Sequence, residues 1–353
     1  MRKGIYRNPV LILLILLLTA CGSRTRPKEG YKPVIGLSLD SLVVERWRRD
    51  VDLFSKAAED LDATVKLRIA NQDAETQISQ VKELMESGID VLVIIPNDAE
   101  KLTEVCKQVK RKGIPVVSYD RLVYEANVDL YISFDNERVG SLMAERAIRI
   151  APRGTYVIVN GARTDNNSLM INRGFHKVLD SELEKGTIQL IGEIWPEDWI
   201  SDEVRARFED LMTEKGNPLV DIVLCGNDML AEAVIQVLSE NRLLGATKVF
   251  GQDAELAACQ RIVEGSQYGT VYKPIDSLAL KAAAFAVMLA KREPVKTQFT
   301  IYDGRYQVPY IKLEPVLVTR ENLESTVIKD GFHRREDVFR NVIEQSNQKR
   351  LVR

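Results

Sequence analysis

The chain has 353 residues, of which 45% are hydrophobic and 28% charged, and its formal net charge is -2. This length allows two well-buried cores, and the composition is that of a soluble globular protein. A balanced charge without a basic stripe argues against a nucleic-acid-binding surface. With only His176 and His333, and no glycine-rich phosphate loop, we predict no metal, no cofactor and no enzymatic activity. A glycosidase with paired carboxylates is the last-ranked alternative, because Asp and Glu are abundant.

The N-terminus has the features of an export signal. A basic start precedes an apolar stretch, residues 10–18. This stretch is shorter than a typical transmembrane helix and matches the core of a signal peptide. The letters LTAC, ending at Cys21, resemble the cleavage box of bacterial lipoproteins. This resemblance implies removal of residues 1–20, lipidation of Cys21 and a polar tether over residues 21–32. An uncleaved membrane anchor is the alternative. Either way we expect the folded part on the outer face of the cytoplasmic membrane.

Three further cysteines, Cys106, Cys225 and Cys259, lie in apolar segments. We expect buried free thiols, because an exported protein that relies on disulfides usually carries an even set at framework-like spacings. A bridge between Cys225 and Cys259 is the alternative, since two neighbouring parallel strands could bring them near each other.

Strand-like and helix-like segments alternate from residue 34 to residue 289. Short apolar runs predict strands, and apolar residues at helical spacing predict helices. The predicted strands cover residues 34–39, 64–69, 91–95, 115–119, 156–159, 188–194, 222–225, 248–250 and 270–272. The predicted helices cover residues 45–61, 74–87, 100–112, 166–183, 202–214, 229–241, 255–264 and 278–290. This alternation predicts an α/β fold with two doubly wound parallel sheets of about five or six strands each. Residues 334–353 are basic and poor in apolar residues, and they predict a solvated or frayed tail.

Polar side chains follow the predicted strands at the points where the strands end. Because the carboxyl ends of parallel strands open onto one crevice, these side chains should converge there. Carboxylates, amides and cations together favour a polar, uncharged, hydroxyl-rich ligand such as a sugar. Each residue alone is as well explained by helix or turn capping, and it is their repetition that favours a shared site. The residues are Asp120, Arg121, Asp165, Asn167, Asn227, Asp253 and Lys273.

Tryptophans add a second feature of sugar sites. Trp47 and Trp199 lie at predicted loop–helix junctions near the crevice, where an indole face can cover the apolar face of a pyranose. Trp195 continues an apolar strand and is as well explained by core packing.

Several longer motifs point to a family. They are LD ending at Asp40, ERW ending at Trp47, DVLVIIP at residues 90–96, YDR ending at Arg121, YISFDN at residues 131–136, DNN at residues 165–167, GQD ending at Asp253, VYKP at residues 271–274 and VIKDGFH at residues 327–333. On these motifs, residues 33–333 resemble the periplasmic sugar-binding proteins of the pentose and ribose type, in particular the D-xylose-binding proteins of bacterial ABC transporters.

The resemblance implies a periplasmic binding protein type I fold with a three-segment hinge. One lobe would comprise residues 33–136 and 273–308, and the other residues 137–272 and 309–333, with residues 334–353 as a tail. A monosaccharide, D-xylose by the closest resemblance, would bind between the lobes. Its contacts would come from Arg46, Trp47, Asp120, Arg121, Asp165, Asn167, Trp199, Asn227, Asp253 and Lys273. Gly226 departs from the family, in which a Ser or similar residue is common at this position.

Two roles fit such a binding module. The first is a lipid-anchored receptor that presents the closed form to an ABC permease, and the second is a sensing subunit for a membrane histidine kinase or chemoreceptor. Another pentose or a hexose is the alternative ligand. A cytoplasmic repressor with this core needs a DNA-binding head, and here the leader and tether occupy its place.

Overall fold

The structure is a computed structural model that describes residues 30–342. The predicted signal peptide, Cys21 and the last eleven residues of the predicted tail, 343–353, lie outside the described residues. The described strands are β1 Val34–Leu39, β2 Thr64–Ile69, β3 Val91–Ile95, β4 Val116–Tyr119, β5 Leu130–Phe134, β6 Thr155–Val159, β7 Gln189–Ile194, β8 Ile222–Cys225, β9 Lys248–Gln252, β10 Gly269–Tyr272, β11 Phe299–Tyr302, β12 Gln307–Leu313 and β13 Val316–Thr319.

The described helices are α1 Arg46–Asp60, α2 Ala74–Glu86, α3 Thr103–Arg111, α4 Asn136–Ile150, α5 Asn166–Glu184, α6 Ser201–Glu214, α7 Asp228–Glu240, α8 Leu256–Glu264, α9 Ile275–Ala290 and α10 Arg335–Val338, with a π-helical turn at Glu324–Ile328. All nine predicted strands and all eight predicted helices are present, with ends shifted by at most three residues.

The strands form two sheets, which define two lobes. The N-terminal lobe contains a seven-stranded sheet in the order β11-β12-β5-β4-β3-β1-β2, and the C-terminal lobe a six-stranded sheet in the order β13-β10-β9-β8-β6-β7. Pairing is parallel except between β11 and β12 and between β10 and β13. The chain passes between the sheets three times: after β5, after β10, and between β12 and β13. The predicted fold class is therefore confirmed.

Each sheet is covered by helices on both faces, as right-handed crossovers between parallel strands require. In β3, for example, Val91, Val93 and Ile95 pack in one apolar cluster with residues of α1 and α9. The alternate residues Leu92 and Ile94 pack in a second cluster with residues of α2 and α3. Burial of each such side chain contributes about 1.5–3 kcal/mol, so the strands between these layers are fixed firmly enough to position the polar residues at their ends.

Helix α4 was not predicted, and its packing explains why its pattern is weak. Gly140 interrupts the helical pattern of apolar residues, but a Cβ atom there would lie 2.0 Å from the carbonyl oxygen of Ile171 in α5. Gly174 of α5 has the same restriction, because a Cβ atom there would lie 2.1 Å from the carbonyl oxygen of Glu137 in α4. Glycine is needed at both positions because the two helices are in backbone contact.

Two lobe boundaries differ from the prediction. Strand β12 stays in the seven-stranded sheet until Leu313, where it pairs with Phe134, so residues 309–313 belong to the N-terminal lobe. The third crossing lies between Leu313 and Val316, inside the range 308–315 in which the resemblance places it. The tail is also packed further than expected. Val338 of α10 is 1% exposed, and the carbonyl of Asp337 accepts a hydrogen bond from Gln260 in α8. Residues 335–338 are therefore part of the C-terminal lobe, because apolar residues among the charges contact its core.

Cys106, Cys225 and Cys259 are buried free thiols, as predicted, and no bridge joins Cys225 to Cys259. Across residues 30–342, none of the helices combines the length and apolarity needed to cross a membrane.

Candidate functional site

The carboxyl ends of the central strands of both lobes face one cavity between the lobes. All ten residues predicted as ligand contacts line it, and Val44 and Gln252 line it as well. Gln252 was visible in the sequence as the last residue of a strand that ends in polar side chains, whereas nothing in the sequence marked Val44. Trp195 lies outside the lining and is half-buried, with its indole nitrogen donating to Glu193 at 2.9 Å.

Arg46 opens α1 and is held from behind by Asp50, one turn later. The Arg46 Nε atom lies 3.0 Å from Asp50 Oδ2, and Asp50 in turn accepts a hydrogen bond from the hydroxyl of Tyr119. On the cavity side, Arg46 Nη1 lies 3.0 Å from Asp120 Oδ2 and 3.7 Å from Asp253 Oδ1. Burial opposes the charge, but the carboxylates of Asp120, Asp50 and Asp253 raise the pKa of Arg46 well above its ordinary value. This guanidinium is a permanent donor held in one orientation.

Arg121 follows β4 and joins the two lobes. Its Nη1 atom lies 2.9 Å from Asp40 Oδ2 within the N-terminal lobe, and its Nε atom lies 2.8 Å from Asp165 Oδ2 in the C-terminal lobe. Burial opposes its charge, and Asp165, Asp40 and Asp120 outweigh that effect and raise the pKa of Arg121. Asp40 therefore matters to the site although it does not line the cavity.

Asp120 and Asp253 occupy matching positions in the two lobes. Both have left-handed backbone, with φ of 61° and 90°. The N–H of Asp120 donates to the carbonyl of Ile132 in β5, and the N–H of Asp253 donates to that of Val271 in β10, each at 2.8 Å. A non-glycine residue with positive φ is uncommon and costs about 1–3 kcal/mol where it is strained. Asp adopts this conformation more readily than most residues, and both aspartates line the cavity.

The pKa of Asp120 is lowered even though it is buried. Burial alone would raise it, but the positive charges of Arg46, Lys273 and Arg121 outweigh burial and hold the pKa below its ordinary value. Asp120 is therefore a carboxylate, which accepts hydrogen bonds and donates none.

The start of α5 supplies the polar residues of the opposite wall. Asp165 is the N-cap, with Oδ1 accepting the N–H of Asn167 at 2.8 Å and Oδ2 accepting the indole N–H of Trp199 at 3.2 Å. The amide of Asn167 donates to Asp120 Oδ1 at 2.9 Å, across the cleft. Asn227 likewise caps α7, since its Oδ1 accepts the N–H of Leu230 at 2.9 Å. Asp165 and Asn227 therefore cap helices and line the cavity at once.

The two tryptophans line the cavity from opposite lobes. The guanidinium carbon of Arg46 lies 4.5 Å from the ring centroid of Trp47, and that of Arg121 lies 5.8 Å from it. Trp199 fills a slot made by two glycines, because a Cβ at Gly161 would lie 2.2 Å from its ring and a Cβ at Gly226 would lie 3.2 Å from it. A Cβ at Gly226 would also lie 2.9 Å from the backbone nitrogen of Gly161, so the departure from the family at Gly226 permits close approach of the two backbone segments behind Trp199.

Several buried polar atoms of the cavity lack hydrogen-bond partners. Among the described residues, seven buried side-chain nitrogen or oxygen atoms are in this state. Four belong to the cavity lining: Trp47 Nε1, Asp120 Oδ2, Gln252 Oε1 and Asp253 Oδ1. The two aspartate oxygens lie within ion-pair distance of cations without hydrogen-bond geometry: Asp120 Oδ2 is 3.0 Å from Arg46, and Asp253 Oδ1 is 3.3 Å from Lys273 and 3.7 Å from Arg46. Since buried polar atoms are nearly always bonded, this concentration points to a polar ligand.

Charge and size restrict that ligand further. Three cations, Arg46, Arg121 and Lys273, face three carboxylates, Asp120, Asp165 and Asp253, which suits an uncharged molecule. The cavity volume is about 30 Å³, far below the roughly 300 Å³ of a small-molecule pocket, so the lobes must separate to admit a ligand. In the described part of the chain, no group of His, Cys, Asp and Glu side chains is arranged to hold a metal ion.

Comparisons with known proteins agree with this architecture. A family model described as a periplasmic binding protein domain matches residues 35–294. The chain is 42% identical over 329 residues to the D-xylose-binding periplasmic protein of Haemophilus influenzae, covering 93% of this chain and 98% of that protein. It is 41% identical over 326 residues to the D-xylose-binding periplasmic protein of Escherichia coli, covering 92% and 98%.

Among solved structures, a carbohydrate transporter solute binding protein from Chloroflexus aurantiacus, in complex with D-glucose, matches with a TM-score of 0.81 and 25% identity over 87% of this chain and 98% of that chain. The family model spans well over half of the chain, and the two D-xylose-binding relatives span nearly all of it. Two parallel-sheet lobes, three crossings and a polar cavity between the lobes agree with that match, and the chain belongs to the periplasmic binding protein family.

Proposed function

We propose that this protein captures D-xylose between its lobes and presents the closed form to an ABC permease. The observation that carries the proposal is the interlobe cavity, in which four buried polar atoms lack hydrogen-bond partners among residues of balanced charge. The choice of D-xylose is supported by two relatives of that name at 42% and 41% identity.

The side chains supply the contacts that a pyranose needs. The carboxylates of Asp120 and Asp253 accept hydrogen bonds from sugar hydroxyls, and Arg46 and Lys273 donate to hydroxyl oxygens. Such charge-assisted bonds contribute about 1.5–3 kcal/mol each. The two indoles cover the apolar faces of the ring, and the free N–H of Trp47 offers one more donor. A sugar that lacks a hydroxyl leaves buried polar groups unpaired and is rejected.

Closure around the sugar is the signal that the permease would receive. Arg121 and Asp165 join the lobes at 2.8 Å, and Asn167 and Asp120 join them at 2.9 Å, so the side chains that bind the sugar also hold the lobes together. A ligand that touches both lobes favours the closed state by its differential affinity for that state, which is a hinge motion about the three crossings.

We also infer that the mature protein is attached to the outer face of the membrane through a lipid on Cys21. Membership of a periplasmic binding protein family supports an extracytoplasmic location. The anchor rests on the sequence alone, because residues 1–29 lie outside the described residues. A Cys21→Ser variant should lose incorporation of labelled fatty acid and leave the membrane fraction. Retention of the label in that variant would refute lipidation at Cys21.

Titration calorimetry of the purified protein with D-xylose, D-ribose, L-arabinose and D-glucose tests the ligand. We expect heat with D-xylose and at least tenfold weaker binding of the others. Trp199→Phe should weaken binding, whereas Trp195→Phe, outside the cavity, should leave it unchanged. No heat with D-xylose, together with clear binding of another aldose, would refute the assignment. Co-purification from membranes with a permease and not with a histidine kinase tests the role.

A further inference from the structure

Glu45 makes a contact between the lobes that lies outside the sugar cavity. It directly precedes α1 in the N-terminal lobe and does not cap that helix with its side chain. Its Oε2 atom instead accepts the backbone N–H of Leu256, the first residue of α8 in the C-terminal lobe, at 3.1 Å. Glu45 is absent from the residues that line the cavity.

Helix α8 has no side-chain cap from its own lobe. Its N-cap residue, Glu255, makes no capping hydrogen bond, and the N–H of Glu255 donates to Asp228 at 3.1 Å. The first N–H groups of a helix have no partner within the helix, and a negative charge near them is favourable. The N–H of Leu256 gains its carboxylate only when Glu45 is brought to it by the other lobe.

The side chain of Glu255 does not oppose the contact between Glu45 and Leu256. Burial, with added effects of Asp228, Asp253 and Glu45, raises the pKa of Glu255 to about 9. Glu255 is therefore protonated at neutral pH and does not repel the Glu45 carboxylate.

We propose that Glu45 is a closure-determining residue, whose carboxylate caps α8 across the cleft and stabilises the closed form without touching the sugar. The inference rests on the proposed sugar-binding function. Apparent affinity falls in proportion to the fraction of molecules that can reach the closed state, so a contact that forms only on closure changes affinity from outside the site.

The test removes each partner of the contact separately. Glu45→Ala should weaken D-xylose binding roughly 2- to 30-fold, the range for loss of a helix N-cap. Leu256→Pro removes the N–H that Glu45 accepts. The helix should tolerate this change, because proline is favoured at the first helical position. The backbone of Glu255, with φ -54° and ψ 150°, also lies in the region that a residue before proline prefers. Leu256→Pro should weaken binding by a similar factor beyond Leu256→Ala, which reports loss of the side chain alone.

The decisive measurement is the double variant. In the Leu256→Pro background, Glu45→Ala should have no further effect on affinity. In the wild-type background, the loss of affinity caused by Glu45→Ala should come from faster dissociation of the sugar. The matched control is Asp73→Ala, because Asp73 caps α2 within one lobe by accepting the N–H of Thr76 at 2.7 Å. That variant should unfold at lower temperature and keep wild-type affinity.

The two hypotheses fail in different ways. A wild-type protein that binds another aldose in place of D-xylose overturns the proposed function, and the same set of Glu45 and Leu256 variants, titrated with that aldose, then decides the inference. A Glu45→Ala variant within 1.5-fold of wild-type affinity, or effects of Glu45→Ala and Leu256→Pro that add, overturns the role of Glu45.

Discussion

A single methyl group at Gly161, added by Gly161→Ala, should weaken sugar binding by displacing the indole of Trp199. A Cβ atom there would lie 2.2 Å from Cη2 of Trp199, 2.3 Å from Cζ2 and 2.5 Å from the hydroxyl of Ser168. Favourable carbon–carbon contacts lie near 3.5–4.0 Å, so the indole must shift by more than about 1 Å. Trp199 lines the cavity, so a displaced indole changes the surface that the cavity presents to a ligand.

The expected loss follows from what Trp199 contacts. If the ring stays, overpacking costs about 1–3 kcal/mol of folding free energy. If it leaves, the charge-assisted hydrogen bond to Asp165, at 3.2 Å, is lost together with the aromatic cover of the sugar. The hydrogen bond lies within the C-terminal lobe and contributes about 1.5–3 kcal/mol to its folding, whereas the aromatic cover contributes about 0.5–1.5 kcal/mol to sugar binding. We therefore expect Gly161→Ala to lower the folding free energy and to weaken D-xylose binding by about 0.5–1.5 kcal/mol, or roughly 2- to 12-fold in Kd.

Titration calorimetry measures the affinity, and urea denaturation measures the folding free energy. The control is Gly192→Ala, whose Cβ would lie 2.4 Å from Leu211 Cδ2, away from the cavity. It should lower stability by overpacking and leave affinity unchanged. In a Trp199→Phe background the smaller ring relieves the clash, so Gly161→Ala should add little to the loss. Binding by Gly161→Ala within 1.5-fold of wild type would show that Trp199 is not held as described.

Three further outcomes are expected. Asp120→Asn should weaken D-xylose binding at least tenfold while keeping the left-handed backbone that Asn accepts. Because the pKa of Asp120 is lowered, its stabilising charge is present above about pH 4 and lost as pH falls through its folded pKa, so urea midpoints of wild type and Asp120→Asn should converge at low pH. Burial raises the pKa of Asp228 to about 7. The contribution of this group to folding stability is therefore lost as pH rises from about 4 to 7. The decrease of the urea midpoint over this pH range should be absent in Asp228→Asn. The three buried thiols should resist a thiol reagent at pH 8 until the protein is denatured, because burial opposes the thiolate and raises the pKa of Cys106 to about 12.

Strand geometry explains why seven of the ten predicted residues converge. Parallel strands that alternate with helices place their carboxyl ends at one edge of a sheet, so the polar residues after β6, β8, β9 and β10 lie together in the C-terminal lobe. Those after β4 lie at the edge of the N-terminal sheet that lines the same cavity. The assignment of Arg46, Trp47 and Trp199 needed more than this rule, because they belong to a helix start and a loop. Trp47 and Trp199 were placed there by their loop–helix junctions and by the affinity of an indole face for a pyranose, and Arg46 by the family resemblance.

Other features could not be predicted because they depend on contacts between distant segments. Strand β11 is largely exposed and lacks a clear alternation, and β12 contains Pro309, which weakens a strand prediction. Asp40 was marked only as part of a family motif and Asp50 not at all, yet they hold Arg121 and Arg46 at 2.9 and 3.0 Å. The left-handed backbone at Asp120 and Asp253 could not be predicted from the sequence either, since it depends on hydrogen bonds to the neighbouring strands.

In the proposed function, the start of α1 serves both ligand recognition and closure. Arg46 faces Asp120 of its own lobe and Asp253 of the other through one nitrogen, so the matching carboxylates of both lobes meet at a single guanidinium. Glu45, one residue earlier, reaches α8, which begins three residues after Asp253. A shift of α1 relative to the C-terminal lobe therefore changes the donor offered to the sugar and the cap of α8 together. Variants of Glu45 should alter closure while the sugar contacts stay intact, whereas variants of Arg46 should alter both.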